Sequence, residues 1–194
     1  MKNKDMKHSM KIVGWGGAFL LIAVMSACGP KKAPASGLMA DSLSVEAAQD
    51  TTVYGICGEN TAMHTLELIK DDGDTVSYFI DEADGQDLIV KGGLFTGDRM
   101  AVVGHQADGE MVADQVLNLT ALLGRWTSLD KNFEIQEGGT VVSSVKAESN
   151  PWTAWKILNG RLLLNKDTFR VDNLGADSLL LENASGIFTF KRQQ

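Results

Sequence analysis

Asn159-Gly160 constrains this chain more than any other pair. It stands between two apolar runs, Trp152 to Leu158 and Arg161 to Leu164. An Asn-Gly pair in that position selects a tight turn with both residues at positive φ, whose twist suits two antiparallel strands. The residues around it continue the theme. Phe133/Ile135, Val141/Ser143/Val145 and Phe169/Val171 alternate as strands do when one face is buried. Between Leu122 and Gln194 the pattern predicts about eight short strands, each roughly four to seven residues long.

The preceding stretch reads the same way. Thr52 to Gly58 is a strand carrying two glycines, which mark bends or close backbone approach. His64 to Ile69 and Thr75 to Ile80 alternate on either side of Asp71-Asp72-Gly73-Asp74, a hairpin in which Gly73 supplies positive φ. A second acidic turn or single helical turn is expected from Asp81 to Asp87, then Leu88-Ile89-Val90, then Arg99 to Gly104, and a turn at Asp108-Gly109 into Met111 to Leu119. Five β segments within about 70 residues, twisted by glycine, suggest a small closed barrel. The expected fold class is therefore all-β, with two β domains in series.

Charge divides the chain at the same place. The net charge is −7, yet Asp41 to Thr120 holds 16 acidic and 3 basic residues, while Ala121 to Gln194 holds 8 acidic and 9 basic. An acidic first half repels phosphate backbones, so nucleic acid is not an expected partner. The break is placed near Asn118 to Leu123, and the two halves are expected to fold separately.

The N-terminus has a different character. Lys2, Lys4, Lys7 and Lys11 precede a mostly apolar run from Ile12 to Ala27, which ends in Val24-Met25-Ser26-Ala27-Cys28-Gly29. A basic leader, an apolar run too short to span a bilayer and small residues before a cut form a secretory signal. The Ser26-Ala27-Cys28 ending resembles a bacterial lipobox. That resemblance implies cleavage before Cys28 and acylation of its thiol and new amine, so the membrane becomes a partner through a lipid anchor. Gly29 in place of an aspartate implies the outer membrane and leaves its face open. Residues 29–37, rich in Pro, Gly, Lys and Ala, suit an extended tether. The organisation expected is signal 1–27, tether 28–49, acidic β domain 50–120 and second β domain 121–194.

Two further resemblances concern the domains. Leu123-Gly124-Arg125-Trp126 resembles the Gly-x-Trp opening of the lipocalins. The ordered set of Trp152 to Leu158, Asn159 to Leu164, Asp167 to Val171, Asp177 to Glu182 and Phe188 to Arg192 resembles the lipocalin-like domains of bacterial lipoproteins. This implies an antiparallel barrel in which Trp126 closes one end beneath a basic residue of the last strand, Lys191 or Arg192. It also implies a small apolar or amphipathic ligand. The acidic half, with Val53-x-Gly55-x-x-Gly58, Gly97-Asp98 before Val102-Val103-Gly104, and Val116-x-Asn118-Leu119, resembles an OB-fold.

The candidate site residues follow. Cys28 is the lipidation site. Trp126, Trp152, Trp155 and Arg192 either close the second barrel or line a pocket, since indoles bury much area and seek a partner for their N–H. An eight-stranded barrel is just wide enough for side chains or one small ligand, and the short strands favour filling. A filled barrel would make this a protein–protein or scaffold module instead. Cys57 reads as a buried core thiol, because no cation lies nearby in sequence. His64 and His105 read as surface residues at strand ends. The acidic turns lack calcium-loop spacing, and no nucleophile triad or phosphate loop is present. A hydrolytic or metal enzyme is the weakest of the three classes, so no catalytic residue, metal or cofactor is expected, and a protein partner is left open.

Overall fold

The computed structural model describes residues 49–81, 88–144 and 149–193. The signal, Cys28, the tether as far as residue 48, most of the second acidic turn, and Val145 lie outside them.

The first barrel grows from glycine-bent hairpins. Strand β1 (Val53–Cys57) pairs antiparallel with β2 (Thr65–Lys70), which pairs with β3 (Thr75–Phe79) across a tip where Gly73 has φ 92°. A two-residue β4 (Val90–Lys91) follows, then β5 (Arg99–Ala107) and β6 (Glu110–Asn118). Strand β3 meets β6 in parallel, with Tyr78 opposite Met111. Strand β6 pairs with β5, and β5 returns to β1. The result is a closed five-stranded ring of OB-like order, with β4 added alongside β6. Glycine is required where β1 crosses β2: a Cβ on Gly55 would lie 2.4 Å from the Ile69 carbonyl oxygen. Leu66, Leu68, Tyr78, Met100, Val102 and Val116 fill this ring. Cys57 is buried among them, its Sγ 3.4 Å from Thr61 Oγ1.

A single helical turn, α1 (Leu119–Leu122), joins the barrels. Asn118 starts it by accepting from the Ala121 amide, the usual means of satisfying a helix N-terminus. The Asn118 side chain is fully buried, and its Nδ2 donates to Asp98 Oδ2 at 2.6 Å and to the Gly93 carbonyl at 3.1 Å.

The second barrel comprises β7 (Gly124–Thr127), β8 (Asn132–Gln136), β9 (Thr140–Ser143), β10 (Trp155–Leu158), β11 (Arg161–Leu164), β12 (Asp167–Leu174), β13 (Ser178–Asn183) and β14 (Gly186–Arg192). All pairs are antiparallel, in the order β10-β11-β12-β13-β14-β7-β8-β9. The ring is nearly closed, and its seam between β9 and β10 is held by one bridge, Thr140 to Ala154, and by the Val141 amide on the Thr153 carbonyl at 3.0 Å. Asn159 and Gly160 form the expected turn, at φ 48° and 71°. Strand β12 has eight residues, one beyond the expected range, because a bulge between Val171 and Asn173 inserts an extra position.

The described residues belong to one compact unit, Val45–Gln194. The buried cluster of the second barrel takes in Ala101, Leu117, Leu119 and Leu122, and Tyr54 packs against it. Polar contacts follow the same line. Gln115 Nε2 donates to the Gly160 carbonyl at 2.7 Å, Tyr54 Oη to the Ile157 carbonyl at 3.0 Å, and Lys91 Nζ to the Asp172 carbonyl at 2.7 Å. The end of the second barrel that carries α1 and the Asn159-Gly160 turn therefore rests on the first barrel. No helix among the described residues is long and apolar enough to cross a membrane.

Candidate functional site

The tryptophans separate into three places. Trp126 lies at the docked end, fully buried, with Nε1 donating to the Leu122 carbonyl at 2.9 Å. The Arg192 guanidinium carbon sits 4.2 Å from the Trp126 ring centre. Strand parity puts Arg192, and not Lys191, there: Arg192 is opposite Trp126, whereas Lys191 is opposite Thr127. Arg192 also donates to the carbonyls of Leu123 at 2.8 Å, Ala176 at 2.7 Å and Ala121. Burial pulls its pKa below the ordinary arginine value, against the opposing pull of Asp177, and it remains a cation. Gly124 has φ 122°, and a Cβ there would fall 2.6 Å from Arg192 Nη1. The glycine of Gly-x-Trp is thus the opening through which the arginine reaches the chain. This end is a plug.

Trp155 is half-buried at the seam, where Nε1 donates to the Gln136 carbonyl at 2.7 Å. Trp152 lies toward the opposite end, 6% exposed. Its ring meets Phe133 edge-on at 5.0 Å and Phe169 at 5.7 Å, and Phe133 meets Phe190 at 5.1 Å. Such edge-to-face pairs are favourable beyond their buried area. Together with Ile135, Leu162, Leu164, Val171, Leu179 and Leu181 they fill the interior.

Above this aromatic layer the barrel opens into a cleft of about 780 Å³, within the range of small-molecule sites. It arises from a mismatch in strand length. Strand β7 ends at Thr127, where the Ser128 amide bonds the Lys131 carbonyl at 2.7 Å and the chain turns into β8. Strand β14 has seven residues but meets β7 only through Lys191 and Arg192. Its earlier residues run past the hairpin and the two part. Phe188 shares a face with Phe190 yet is 36% exposed, because it stands at the mouth and leans on Phe169 at 5.8 Å. Lys131 Nζ lies 4.3 Å over the Trp152 ring, and Trp152 Nε1 donates to Asp167 Oδ2 at 3.1 Å. Leu129 and Ile187 are exposed at the rim. The cleft thus offers an apolar aromatic floor with cations and carboxylates at its edge.

Lys131, Phe169, Phe188 and Phe190 are not among the site residues expected from the sequence, although Phe169 and the run from Phe188 are read there as strand. The alternation of Ile187-Phe188-Thr189-Phe190 carries the signal for the last two, but placing them at a mouth needs the ladder's end. His105 lies inside β5 and not at a strand end, its Nδ1 2.8 Å from Asp114 Oδ1 on the outer surface. His64 is exposed just before β2. The carboxylates of the first hairpin face cations: Lys70 Nζ is 2.9 Å from Asp72 and 3.3 Å from Asp74, and Arg99 pairs with Asp71. Among the described residues no three His, Cys, Asp or Glu side chains gather where a metal could sit. No family model matches this chain, and no curated protein or solved structure does.

Proposed function

We propose that this is a lipid-anchored protein of the cell envelope, most simply the outer membrane, that acts by binding and not by catalysis. The second barrel presents its mouth cleft to a small apolar or amphipathic molecule, or to such a group on a larger one. The observation that carries this reading is the cleft over Trp152, where the Phe188 ring and the side chains of Leu129 and Ile187 stand open to solvent at the end of the barrel away from the plug. Burying one such group contributes roughly 25 cal/mol per Å² of apolar surface.

Native mass spectrometry of the protein from its own envelope tests for a retained molecule. Titration with an environment-sensitive apolar dye tests the cleft directly. Dye binding that weakens at least tenfold in Phe188→Ala supports the reading, and binding unchanged in that variant overturns it. The anchor has its own test. Cys28→Ser should release the protein from the membrane fraction and abolish metabolic lipid labelling, and continued lipid incorporation would refute it.

The packed interior favours a second reading, a module for protein partners. Phe133, Trp152 and Phe190 belong to one buried cluster that fills the interior, which favours an occupant held at the surface, where a partner chain could supply it.

A further inference from the structure

We propose that the β14 edge in the mouth cleft receives an extended segment of a partner polypeptide, added as a strand beside β14. This rests on the reading of the cleft as a binding site and names the class of its occupant.

Hydrogen-bond parity along β14 carries the inference. The Gln193 amide donates to the Arg125 carbonyl on the β7 side, and the Arg192 amide donates to the Asp177 carbonyl on the other. In an antiparallel ladder these directions alternate. Gln193, Lys191, Thr189 and Ile187 therefore turn their N–H and C=O groups toward β7, while Phe190 and Phe188 turn theirs toward β13. Strand β7 answers only as far as Lys191. The amides and carbonyls of Thr189 and Ile187 face the cleft, and among the described residues no hydrogen bond reaches them from that side. They are two successive ladder positions, in line with an established one.

An apolar tail alone cannot satisfy four backbone groups at strand spacing, whereas a peptide strand can. The side-chain faces specify it further. A partner residue opposite Phe188 would share its face and enter the cleft over Trp152 and Phe169, so it should be apolar. The residue opposite Thr189 would lie on the outer face, diagonal to the Lys191 ammonium, so an acidic residue suits it, and a polar one suits the exposed position opposite Ile187. The fit is an alternating segment, apolar inward and acidic or polar outward. The exposed Ile187 and the absence of proline from this edge leave it open, where natural sheets usually block such edges.

The test uses the chain from Gln49 to Gln194 and the peptide acetyl-Glu-Val-Glu-Phe-Thr-Val-amide. Two analogues are N-methylated on alternate residues, one analogue for each edge. Expected are binding, slowed hydrogen exchange at the Ile187 and Thr189 amides, and at least tenfold weaker binding of one analogue only. Thr189→Pro removes one edge donor without touching the β13 ladder. It should lose the peptide at least tenfold while keeping its melting temperature. Equal affinity for all three peptides overturns the strand inference, because only apolar contact would then be at work. Dye binding without peptide binding also overturns it while leaving the cleft intact, and loss of both removes the cleft as well. Protection of the two amides in the protein alone, rising with its concentration, assigns the edge to a second copy and overturns the proposal for a partner.

Discussion

Gly124, Trp126 and Arg192 work as one plug, and each depends on a different physical term. Trp126 contributes buried area, so Trp126→Ala should cost about 3–5 kcal/mol. Arg192→Ala should cost less, through a cation–π contact of roughly 0.5–2 kcal/mol and the loss of partners for three carbonyls. The two should couple in a double-mutant cycle followed by far-ultraviolet circular dichroism in denaturant, since they touch. Additive losses would show that the contact is not energetic. Trp126 could be read from its motif, whereas the choice between Lys191 and Arg192 needed the register of β14 on β7. Charge supplies a second residue-scale prediction. The Arg99 hydrogen bond holds the Asp71 carboxyl below its usual 3.8. A carboxyl lowered in the fold adds stability above its unfolded pKa and loses it as pH falls through the folded value. Asp71→Asn should therefore lower the melting temperature slightly at neutral pH. The gap to wild type should close below about pH 4. A gap that persists at pH 2 would contradict the pairing.

At the scale of elements, the hairpins were legible because their turn chemistry is local. Asn159-Gly160 forms the turn its sequence demands, and the site adds a constraint that the pair alone does not reveal. A Cβ on Gly160 would meet Gln115 Oε1 at 2.7 Å, at a φ of 71°. Gly160→Ala should cost about 1–3 kcal/mol, the usual range for a strained backbone position. Gln115→Ala in the same background should recover part of that loss in thermal melts. No recovery would mean that the cost is backbone strain alone. The mouth cleft was not legible. Alternation gives strand faces but not where two strands of unequal length cease to pair, and the opening between β7 and β14 is set by that mismatch.

At the scale of the molecule, the charge step and the second run of strand signals place a boundary near α1, and two barrels do stand on either side of it. What neither signal carries is the contact between them. Leu117 belongs by sequence to β6 of the first barrel, yet it is fully buried in the cluster that fills the second. Periodicity marks such a residue as inward-facing without saying which core it enters. The distribution of tryptophans makes this testable. Trp126, Trp152 and Trp155, the tryptophans among the described residues, all lie in the second barrel, so tryptophan fluorescence of the chain from Gln49 reports that barrel's unfolding. Removing a buried leucine side chain typically costs about 2–5 kcal/mol. If the barrels are coupled through Leu117 and its neighbours Ala101, Leu119 and Leu122, Leu117→Ala should move the fluorescence midpoint in urea to lower concentration. Leu66→Ala, in the core of the first barrel alone, should move it only if the two barrels unfold as one cooperative unit. Shifts in both variants, with fluorescence and circular dichroism coincident, would establish a single transition. A shift in Leu117→Ala alone would leave two folding units sharing one seam. An unchanged midpoint in both would mean that the shared cluster adds nothing to the second barrel's stability.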